Sequence, residues 1–211
     1  MPALADKYRP QTWAEVVGQD KVLAQIEALR PRGFGGRFYW IAGPSGTGKT
    51  TIARLLAAEI ADPFCVEELD ASDLTPAALR EIEKAMHIHG WGKGGRAYIV
   101  NEAHGLRRDT VRQLLVLADR LRPTVAVIFT STNDGEEALF EDHIDAGPLL
   151  SRCTVLRLAR RDICRPLAEM VKRHAEAEGL NGKPIEHYVK RLQAHHNNVR
   201  ALYQEVESGG L

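Results

Sequence analysis

A chain of 211 residues can hold one full domain and a smaller second one, because single domains mostly run to about 100–200 residues. Lysine plus arginine and aspartate plus glutamate number 28 each, so no net field draws the whole molecule to nucleic acid, and any contact with DNA must be local or shared with other subunits. The 3 cysteines are widely spaced, which argues against a disulfide framework or a zinc module. No apolar run approaches the ~20 residues of a membrane span, and residues 1–10 lack the apolar stretch of a signal peptide, so we expect a cytoplasmic protein without a membrane segment.

The first predicted elements are a polar, proline-interrupted arm over residues 6–13 and an amphipathic helix over residues 21–29. Aromatic and apolar side chains in and after the arm offer faces on which a purine ring could stack, and they could equally serve only to pin the arm to the core. These side chains are Tyr8, Pro10, Trp13, Val16 and Val17.

A phosphate-binding motif comes next. An apolar strand predicted over residues 38–42 leads into a G-x-x-x-x-G-K-T sequence, and a helical pattern over residues 51–61 follows it. Glycines in this motif let backbone N–H groups turn toward phosphate oxygens, the lysine adds a full positive charge, and the threonine hydroxyl can ligate Mg²⁺. A chance glycine-rich turn is the alternative, and the complete motif between a strand and a helix argues against it. We predict a nucleoside-triphosphate site formed by Gly43, Pro44, Ser45, Gly46, Thr47, Gly48, Lys49, Thr50 and Thr51.

Apolar runs and helical patterns then alternate along the chain. Near-continuous apolar runs are typical of parallel strands that are buried on both faces. The alternation therefore predicts an α/β fold with a doubly wound, parallel, five-stranded sheet. Besides residues 38–42, the predicted strands are residues 64–69, 96–102, 124–130 and 154–158, and the predicted intervening helices are residues 75–89 and 108–121.

The strand signal stops after residue 158. Three helices are predicted beyond it, over residues 161–178, 184–194 and 198–207. We therefore predict two domains: a nucleotide-binding α/β domain over residues 1–158 and a small helical lid domain over residues 159–211.

Two polar side chains end the strand predicted at residues 96–102. Glu102 is placed like the carboxylate that polarises an attacking water, although a glutamate at a strand end can also be merely solvated. Asn101 precedes it, at the position where such sites usually hold an aspartate in the Mg²⁺ shell. The chain thus has candidates for the phosphate, metal and water functions that phosphoryl transfer to water requires.

Several motifs together resemble AAA+ ATPases of the sliding-clamp-loader group, such as the replication factor C small subunit and the bacterial gamma/tau subunit. The motifs are Lys7-Tyr8-Arg9-Pro10 with Val17-Gly18-Gln19, the phosphate-binding loop, E-L-D-A-S-D at residues 68–73, N-E-A-H at residues 101–104 and Ser151-Arg152-Cys153. The resemblance extends from residue 6 to residue 207. Its most specific parts are the Y-R-P and V-G-Q motifs at the entry and the S-R-C triplet.

The resemblance implies roles for individual residues. Those implied to flank the adenine are Tyr8, Arg9, Pro10, Val17 and Gly18. Thr132 or Asn133 would be the first sensor of the γ-phosphate, and Arg200 would be the second, reaching down from the helical domain. Arg152 is similar to the arginine finger that acts on the ATP of a neighbouring subunit; an ordinary surface ion pair is the alternative for it. The implied cofactors are ATP and Mg²⁺, and the implied partners are other AAA+ subunits in a homo- or hetero-oligomer, a sliding clamp and primer-template DNA.

The sequence departs from the group's pattern in three places. Asn101 replaces the usual aspartate, so one negative charge is missing near Mg²⁺ and we expect weaker metal binding or slower turnover. An amide oxygen can still accept a hydrogen bond from a metal-bound water, so the change weakens the site without obviously abolishing it. The zinc-binding cysteines of gamma/tau and the C-terminal collar that fastens clamp-loader pentamers are not found in the sequence.

Two further clusters have a functional and a plain interpretation. His195 and His196 could suggest a metal site, but adjacent histidines point in different directions and no third ligand is near in sequence, which favours a solvated turn. Arg107, Arg108 and Arg112 could meet the phosphates of DNA or an acidic partner, or they could form a solvated face.

The sequence therefore predicts an AAA+ ATPase that couples ATP binding and hydrolysis to the loading or remodelling of a protein ring on DNA during replication. One alternative is a ring subunit that hydrolyses little and serves as a nucleotide-switched scaffold, which Asn101 favours and Lys49, Thr50 and Glu102 oppose. Another is a different DNA-directed AAA+ ATPase that acts in branch migration or transposition.

Overall fold

A five-stranded parallel sheet forms the centre of the molecule, as predicted. The computed structural model describes residues 2–88, 92–132, 146–159, 163–180 and 183–210. The strands are β1 (Arg37–Ala42), β2 (Val66–Asp70), β3 (Arg96–Asn101), β4 (Val125–Ser131) and β5 (Cys153–Arg157). Their order is β2-β3-β4-β1-β5, and every neighbouring pair is parallel. All carboxyl ends therefore lie at one edge of the sheet, where the loops that follow the strands can build a binding site.

Helices cover both faces of the sheet and form the C-terminal part of the chain. The α-helices of the described residues are α1 (Leu4–Lys7), α2 (Asp20–Leu29), α3 (Lys49–Ile60), α4 (Pro76–Ala85), α5 (Arg108–Ala118), α6 (Ala146–Ser151), α7 (Cys164–Ala177), α8 (Ile185–Ala194) and α9 (Val199–Glu207). Short 3₁₀ helices lie at Trp13–Glu15, Arg30–Arg32, Pro63–Cys65 and Ala103–Gly105. Among these described helices, none is both long and apolar enough to cross a membrane.

The apolar residues of β1 alternate between two cores. Phe38 and Trp40 belong to the core that α4 and α5 cover, and Tyr39 and Ile41 belong to the core under α2 and α3. Burial on both sides explains why the central strands are nearly continuous apolar runs in the sequence. The predicted doubly wound arrangement is confirmed.

A third core lies among the C-terminal helices. It combines buried residues of α7, α8 and α9, including Val171, Leu192 and Leu202, with Leu4 of α1. The Leu4 N–H donates to Oε1 of Glu207 at 2.5 Å, which ties the N-terminal arm to the end of α9. The first residues of the chain therefore pack on its last helix, and the division of the chain after residue 158 stays a prediction.

The strand predicted at residues 64–69 was wrong at its start. Pro63 opens a 3₁₀ helix that includes Phe64 and Cys65, and β2 begins only at Val66. Proline fixes φ and lacks an N–H, so it favours a turn ahead of the strand. The side chain of Phe64 is 71% exposed, although its aromatic character suggested a buried strand position.

Candidate functional site

The phosphate-binding loop connects the end of β1 to the first turn of α3. The Gly43 N–H donates to the carbonyl oxygen of Ser131 at 3.3 Å, which ties the loop to the end of β4. Gly48 has a φ of 95° immediately before α3, a left-handed conformation that glycine adopts without strain. The loop and the N-terminus of α3 thus lie together at the carboxyl edge of the sheet, where backbone N–H groups can bind phosphate.

The side chain of Lys49 lies within this loop. Lys49 is the first residue of α3 and is only 9% exposed. Its Nζ donates to the carbonyl oxygens of Gly43 at 2.9 Å and Pro44 at 3.1 Å. The Thr47 hydroxyl donates to the same Pro44 carbonyl at 2.8 Å. The ammonium is therefore held at the position from which it can reach phosphate oxygens bound by the loop.

Gly46 is the point where the loop meets the C-terminal helices. Its φ is +77°, and a Cβ built on it would lie 2.0 Å from Oδ1 of Asn198. Asn198 is the N-cap of α9, and its Oδ1 accepts a hydrogen bond from the Ala201 N–H at 3.3 Å. A side chain at position 46 would therefore separate the loop from the helix that carries Arg200.

A cleft lies between the loop, the N-terminal arm and the C-terminal helices. Nine of the residues predicted to bind nucleotide line it: Tyr8, Arg9, Pro10, Val17, Gly46, Thr47, Gly48, Thr51 and Arg200. The C-terminal helices add apolar side chains, among them Leu167 and Met170. An apolar recess beside a phosphate-binding loop suits a ligand with a flat ring and an anionic tail.

Gly18 and Gln19 join this cleft to the segment after β5. Gly18 has a φ of +77°, and a Cβ on it would lie 2.7 Å from Cγ2 of Ile163. Gln19 is 5% exposed; its Nε2 donates to the Ala159 carbonyl at 3.0 Å, and its Oε1 accepts from the Ala159 N–H at 3.1 Å. The V-G-Q motif therefore fixes the approach of the arm to the C-terminal segment.

Tyr8 packs on the C-terminal helices. Its ring stacks on His174 of α7 with centroids 4.0 Å apart and an interplanar angle of 10°. Its hydroxyl donates to Glu178, whose Oε1 also contacts Nζ of Lys7 at 2.5 Å. Trp13 instead reaches the core side, where its Nε1 donates to Glu59 of α3 at 2.7 Å. The structure thus supports the pinning interpretation of the arm, and it leaves Tyr8 at the wall of the cleft.

A hydrogen-bonded row crosses three strands at the carboxyl edge. The Thr130 hydroxyl donates to Oδ1 of Asn101 at 2.9 Å, and the Asn101 amide donates to Oε1 of Glu68 at 2.8 Å. The other oxygen of Glu68 accepts from Nε of Arg54 on α3 at 2.8 Å. Burial works to raise the pKa of Glu68, but the hydrogen bonds from Arg54 and Asn101 outweigh it, so this pKa is lowered.

Glu102 lies just beyond β3 in an unusual backbone conformation. Its φ of 52° and ψ of 48° place it in the left-handed region, which residues other than glycine rarely adopt. Its side chain is 59% exposed, and its Oε2 lies 3.4 Å from Nδ1 of His104. The predicted strand end at residue 102 was therefore wrong by one residue, since β3 ends at Asn101.

The two predicted sensors are only partly described. Thr132 directly follows β4, and the Ser131 hydroxyl donates to its carbonyl at 3.1 Å. Asn133 lies outside the described residues. Arg200 is in the first turn of α9 and lines the cleft. The pKa of Asp6 is lowered mainly by its hydrogen bond with Arg9 and by the charge of Arg9, and the charges of Arg200 and Arg54 add smaller contributions in the same direction.

Arg152 lies at the opposite edge of the sheet. It immediately precedes β5, whose first residue, Cys153, pairs with Phe38 at the start of β1. It lies five positions before Arg157 at the loop end, which corresponds to about 16 Å along a strand. Its Nε contacts Asp119 at 3.1 Å, and its guanidinium also donates to the Pro148 carbonyl at 3.3 Å. Arg152 therefore forms a surface ion pair far from the phosphate-binding loop of its own chain.

The histidine and arginine clusters occupy exposed or structural positions. His195 Nε2 contacts Glu205 at 2.8 Å, and within the described residues no group of three or more His, Cys, Asp or Glu side chains could hold a metal ion. Arg107, Arg108 and Arg112 are all exposed at the start of α5. Their contact with DNA or an acidic partner stays a prediction.

Sequence reasoning missed several residues that shape the site. Asn198 had a signal, because asparagine before a helical pattern is a common N-cap. Glu68 and Arg54 had none, since their contact depends on how an edge strand and a helix come together. Met170 reaches the cleft, and His174 reaches Tyr8, only because α7 folds back onto the arm.

The fold and the site belong to a known class of protein. The AAA family, whose description is "ATPase family associated with various cellular activities", matches residues 39–157, more than half of the 211 residues. The chain belongs to this ATPase family. The match covers the sheet from β1 to β5, including the phosphate-binding loop, Asn101, Glu102 and Arg152.

Individual relatives of the chain lie within the clamp-loader group of the AAA family. The chain is 29% identical to the replication factor C large subunit of Thermococcus kodakarensis over 96% of this chain and 39% of that protein. It is 27% identical to DNA polymerase III subunit tau of Escherichia coli over 90% of this chain and 31% of that protein. These relatives confirm the resemblance to the clamp-loader group. The chain spans less than half the length of these two relatives.

Solved structures confirm the fold. RuvB, the Holliday junction branch migration motor of Thermotoga maritima, superimposes on 95% of this chain and 65% of its own chain, with a TM-score of 0.72. The sequence identity is 22%, so this likeness establishes the fold alone.

Proposed function

We propose that this chain binds ATP with Mg²⁺ and hydrolyses it, and that it couples this cycle to the loading of a sliding clamp on DNA during replication. The observation that carries the proposal is the position of Lys49 within a complete phosphate-binding loop at the mouth of a partly apolar cleft. The relatives named as replication factor C and DNA polymerase III subunits support clamp loading as the process that ATP hydrolysis drives.

Different residues of the candidate site would bind the phosphates, bind the adenine and orient the attacking water. The loop amides and Lys49 would hold the phosphates, and the apolar wall beside Tyr8 and Val17 would hold the adenine. Glu102 would accept a hydrogen bond from the attacking water and orient it. Arg200 would approach the phosphates from α9, so that nucleotide binding draws the C-terminal helices toward the loop.

The oxygen donors at the sheet edge fit a magnesium ion. Mg²⁺ usually keeps several waters and binds through one or two protein oxygens plus substrate phosphates, so it needs no all-protein cage. Thr50 follows Lys49 in the first turn of α3, and Asn101 lies at the end of β3. When bound, the ion would neutralise charge on the phosphates. We infer that hydrolysis is slow, because Asn101 carries no negative charge.

The proposal requires a neighbouring subunit. Arg152 lies about 16 Å along the strand direction from the loop end of β5, too far to touch a nucleotide in its own chain. An exposed guanidinium at that edge suits contact with the site of an adjacent AAA+ subunit, in a homo- or hetero-oligomer. A sliding clamp and primer-template DNA would be the further partners.

Two rival functions lead to different measurements. Asn101 favours the first rival, a scaffold subunit that binds ATP and hydrolyses little. If this is the function, neither a sliding clamp nor DNA should stimulate ATP turnover. The RuvB relative of Nocardioides, 31% identical over 56% of this chain, favours branch migration, and that chain would respond to Holliday junctions rather than to a clamp with primer-template DNA.

Replacement of Lys49 tests the nucleotide site. Lys49→Ala removes the one full charge held within the loop, and a charge-assisted hydrogen bond contributes about 1.5–3 kcal/mol, so we expect ATP affinity to fall by about 10- to 100-fold. Isothermal titration calorimetry with Mg²⁺-ATP measures it. Lys21→Ala, at an exposed lysine of α2, is the matched control. Equal affinity in Lys49→Ala and the parent protein would reject the assigned site.

A further inference from the structure

An asparagine side chain of the C-terminal helices lies directly against the phosphate-binding loop. A Cβ built on Gly46 would lie 2.0 Å from Oδ1, 2.4 Å from Cγ and 3.0 Å from Nδ2 of Asn198. Outside residues 45–47, these are the three heavy atoms nearest to that point. The whole amide group therefore packs on the backbone of the loop, at a position where only glycine leaves room for it.

The oxygen end of this amide caps α9. Oδ1 of Asn198 accepts a hydrogen bond from the Ala201 N–H at 3.3 Å, and the backbone carbonyl of Asn198 accepts one from the Leu202 N–H at 3.2 Å. Because the cap needs an acceptor, the amide cannot be turned round, and Nδ2 is its other end. Asn198 thereby fixes the first turn of α9, which carries Arg200.

The nitrogen end of the amide is a donor that the described residues do not use. Among the residues that the structure describes, none accepts a hydrogen bond from Nδ2 of Asn198, and the residue is partly exposed. A primary amide has two N–H donors, and the oxygens of a phosphate are strong acceptors. This donor lies 3.0 Å from the Cβ position of Gly46, beside the backbone N–H groups that bind phosphate in a loop of this type.

The backbone before α9 sets the position of this side chain. His196 and Asn197 have φ values of 51° and 58°, so two consecutive left-handed residues turn the chain from α8 into α9. The Asn197 N–H donates to the Leu192 carbonyl at 2.8 Å, and the Asn198 N–H donates to the His195 carbonyl at 3.0 Å. Asn198 is therefore held by backbone hydrogen bonds to the end of α8 as well as by its own cap.

Asn198 belongs with the phosphate-binding part of the site rather than with the apolar cleft. Val199 and Arg200, which follow it, line the cleft together with Gly46. Asn198 and Lys49 are not among the residues that line the cleft, and both contact the loop instead. Its amide nitrogen is therefore placed for the anionic end of a nucleotide, and the cleft beside it for the base.

We propose that Asn198 is a further binding residue of the nucleotide site, in which Oδ1 caps α9 and Nδ2 donates a hydrogen bond to a phosphate oxygen held by the loop. The inference rests on the proposed function, because it needs a nucleotide in the loop, and it deepens that function by bonding the phosphates directly to α9. The same side chain would then join the phosphates, the loop and the helix that carries Arg200. Aspartate or serine at this position would keep the cap and lose the amide donor.

The test uses four variants of the full chain. Asn198→Ser and Asn198→Asp keep an acceptor for the cap, Asn198→Ala removes both functions, and Gln204→Ala removes an exposed amide from the same helix as a control. Urea unfolding without nucleotide reports on the cap. Calorimetry with a non-hydrolysable ATP analogue and with ADP, both with Mg²⁺, reports on the phosphate contact. Adenosine, measured by its competition with the analogue, reports on the base alone.

The expected results separate the phosphate contact from the cap. Asn198→Ser and Asn198→Asp keep a urea midpoint close to that of the parent, whereas Asn198→Ala lowers it. Affinity for the analogue and for ADP falls by about 10-fold or more in Asn198→Ser, the loss expected for a hydrogen bond to a charged group, and further in Asn198→Asp, which adds a like charge. Affinity for adenosine stays within about twofold in both, and Gln204→Ala leaves all three affinities unchanged.

Two outcomes overturn the inference alone. Parental affinity of Asn198→Ser for the analogue and for ADP would make Asn198 a helix cap and nothing more. An equal loss of affinity for ADP and for adenosine would mean that the substitution disturbs the base end of the cleft, not a phosphate contact. If the parent protein binds neither the analogue nor ADP, the proposed function fails and the inference fails with it; this result is distinguishable because the other two require a parent protein that binds.

Discussion

The backbone of Glu102 combines an unfavourable conformation with a chemically useful position. A left-handed conformation costs a residue with a Cβ about 1–2 kcal/mol, and glutamate lacks the short polar side chain that lets asparagine or aspartate hydrogen-bond locally in that conformation. The residue nevertheless directly follows β3, at the carboxyl edge of the sheet that also carries the phosphate-binding loop. Strain of this kind is retained where it serves function, which supports the proposed role of Glu102 in orienting water.

Substitution of Glu102 should separate stability from hydrolysis. Glu102→Gln keeps the shape and the backbone, so ATP affinity should stay within about twofold while turnover falls by about 100-fold or more, since general base catalysis contributes about 10²–10⁴. Glu102→Gly should remove hydrolysis as well and raise the free energy of unfolding by about 0.5–1 kcal/mol, because the strain of the left-handed conformation exceeds the entropic cost of glycine.

Calorimetry measures the ATP affinity of these variants, phosphate release measures their turnover, and urea unfolding measures their free energy of unfolding. His196→Gly is a matched control, because His196 also has a positive φ, 51°, and an exposed side chain that does not line the cleft. It should gain similar stability with hydrolysis unchanged. Loss of ATP binding in Glu102→Gln would show that the residue is structural.

At the scale of elements, the N-terminal arm and the C-terminal helices form one wall of the cleft. His174 of α7 lies between Tyr8 and Tyr203, with its Nδ1 2.5 Å from the Tyr203 hydroxyl. Burial raises the pKa of Tyr203 and lowers the pKa of His174, and the charge of Arg173 lowers the pKa of His174 further. A neutral imidazole is therefore part of the contact between the arm and α7.

The lowered pKa of His174 predicts a loss of stability in mild acid. The unfolded chain takes up a proton near pH 6.5, whereas the folded protein takes it up only at lower pH. Between these two values the unfolded state binds more protons, so the free energy of unfolding should fall as the pH drops below 6.5.

Urea unfolding between pH 7.5 and pH 5, at intervals of about half a unit, measures the slope. His174→Phe keeps a ring against Tyr8 and removes the titration, so its unfolding free energy should depend less on pH in this range. His196→Gln, at an exposed histidine, should keep the parental slope. Equal slopes in all three proteins would contradict the assignment to His174.

At the scale of the whole molecule, the phosphate-binding loop and Arg152 lie at opposite edges of one sheet. Five parallel strands hold the two edges at a constant separation, so the chain presents the proposed ATP site on one side and a guanidinium on the other. Subunits placed head to tail would bring each arginine to the next site, and a heterologous contact of this type generates rings when the rotation closes. The ion pair with Asp119 holds Arg152 at its edge, and exposed pairs of this kind break at little cost.

Arg152 is predicted to act on the nucleotide of a neighbouring chain. Arg152→Ala should leave ATP affinity within about twofold and reduce turnover measured at high protein concentration or with partner subunits by about 10³-fold or more, the effect of arginine fingers. Turnover of the parent protein should rise with protein concentration. Asp119→Ala, which removes the ion-pair partner and keeps the arginine, is the control.

Mixing the Arg152→Ala and Lys49→Ala chains gives the sharper measurement. One variant retains a complete nucleotide site and the other retains the arginine, so the mixture should recover part of the activity that each lacks. A fully active Arg152→Ala, with specific activity independent of concentration and partners, would end the proposal that Arg152 acts in trans.

Local sequence determined a large part of this protein. The five parallel strands and the three C-terminal helices were predicted correctly because their signals are short-range: apolar runs and helical periodicity. Glycines and a lysine at fixed spacing likewise marked the loop between β1 and α3, whose binding of phosphate stays a prediction. Errors occurred at element ends: Pro63 delayed the start of β2 beyond Phe64, and the left-handed Glu102 ended β3 one residue early.

The tertiary structure decided which residues work together. Glu68 and Asn101 are 33 residues apart, yet parallel pairing in a fixed register brings their side chains into hydrogen-bonding distance. His174 meets Tyr8 only because the last helices fold back over the first turn of the chain. Arg152 is separated from its own nucleotide site by the direction of β5. Register, strand order and helix packing arise from burial summed over the whole chain, so no local pattern around these residues could have revealed them.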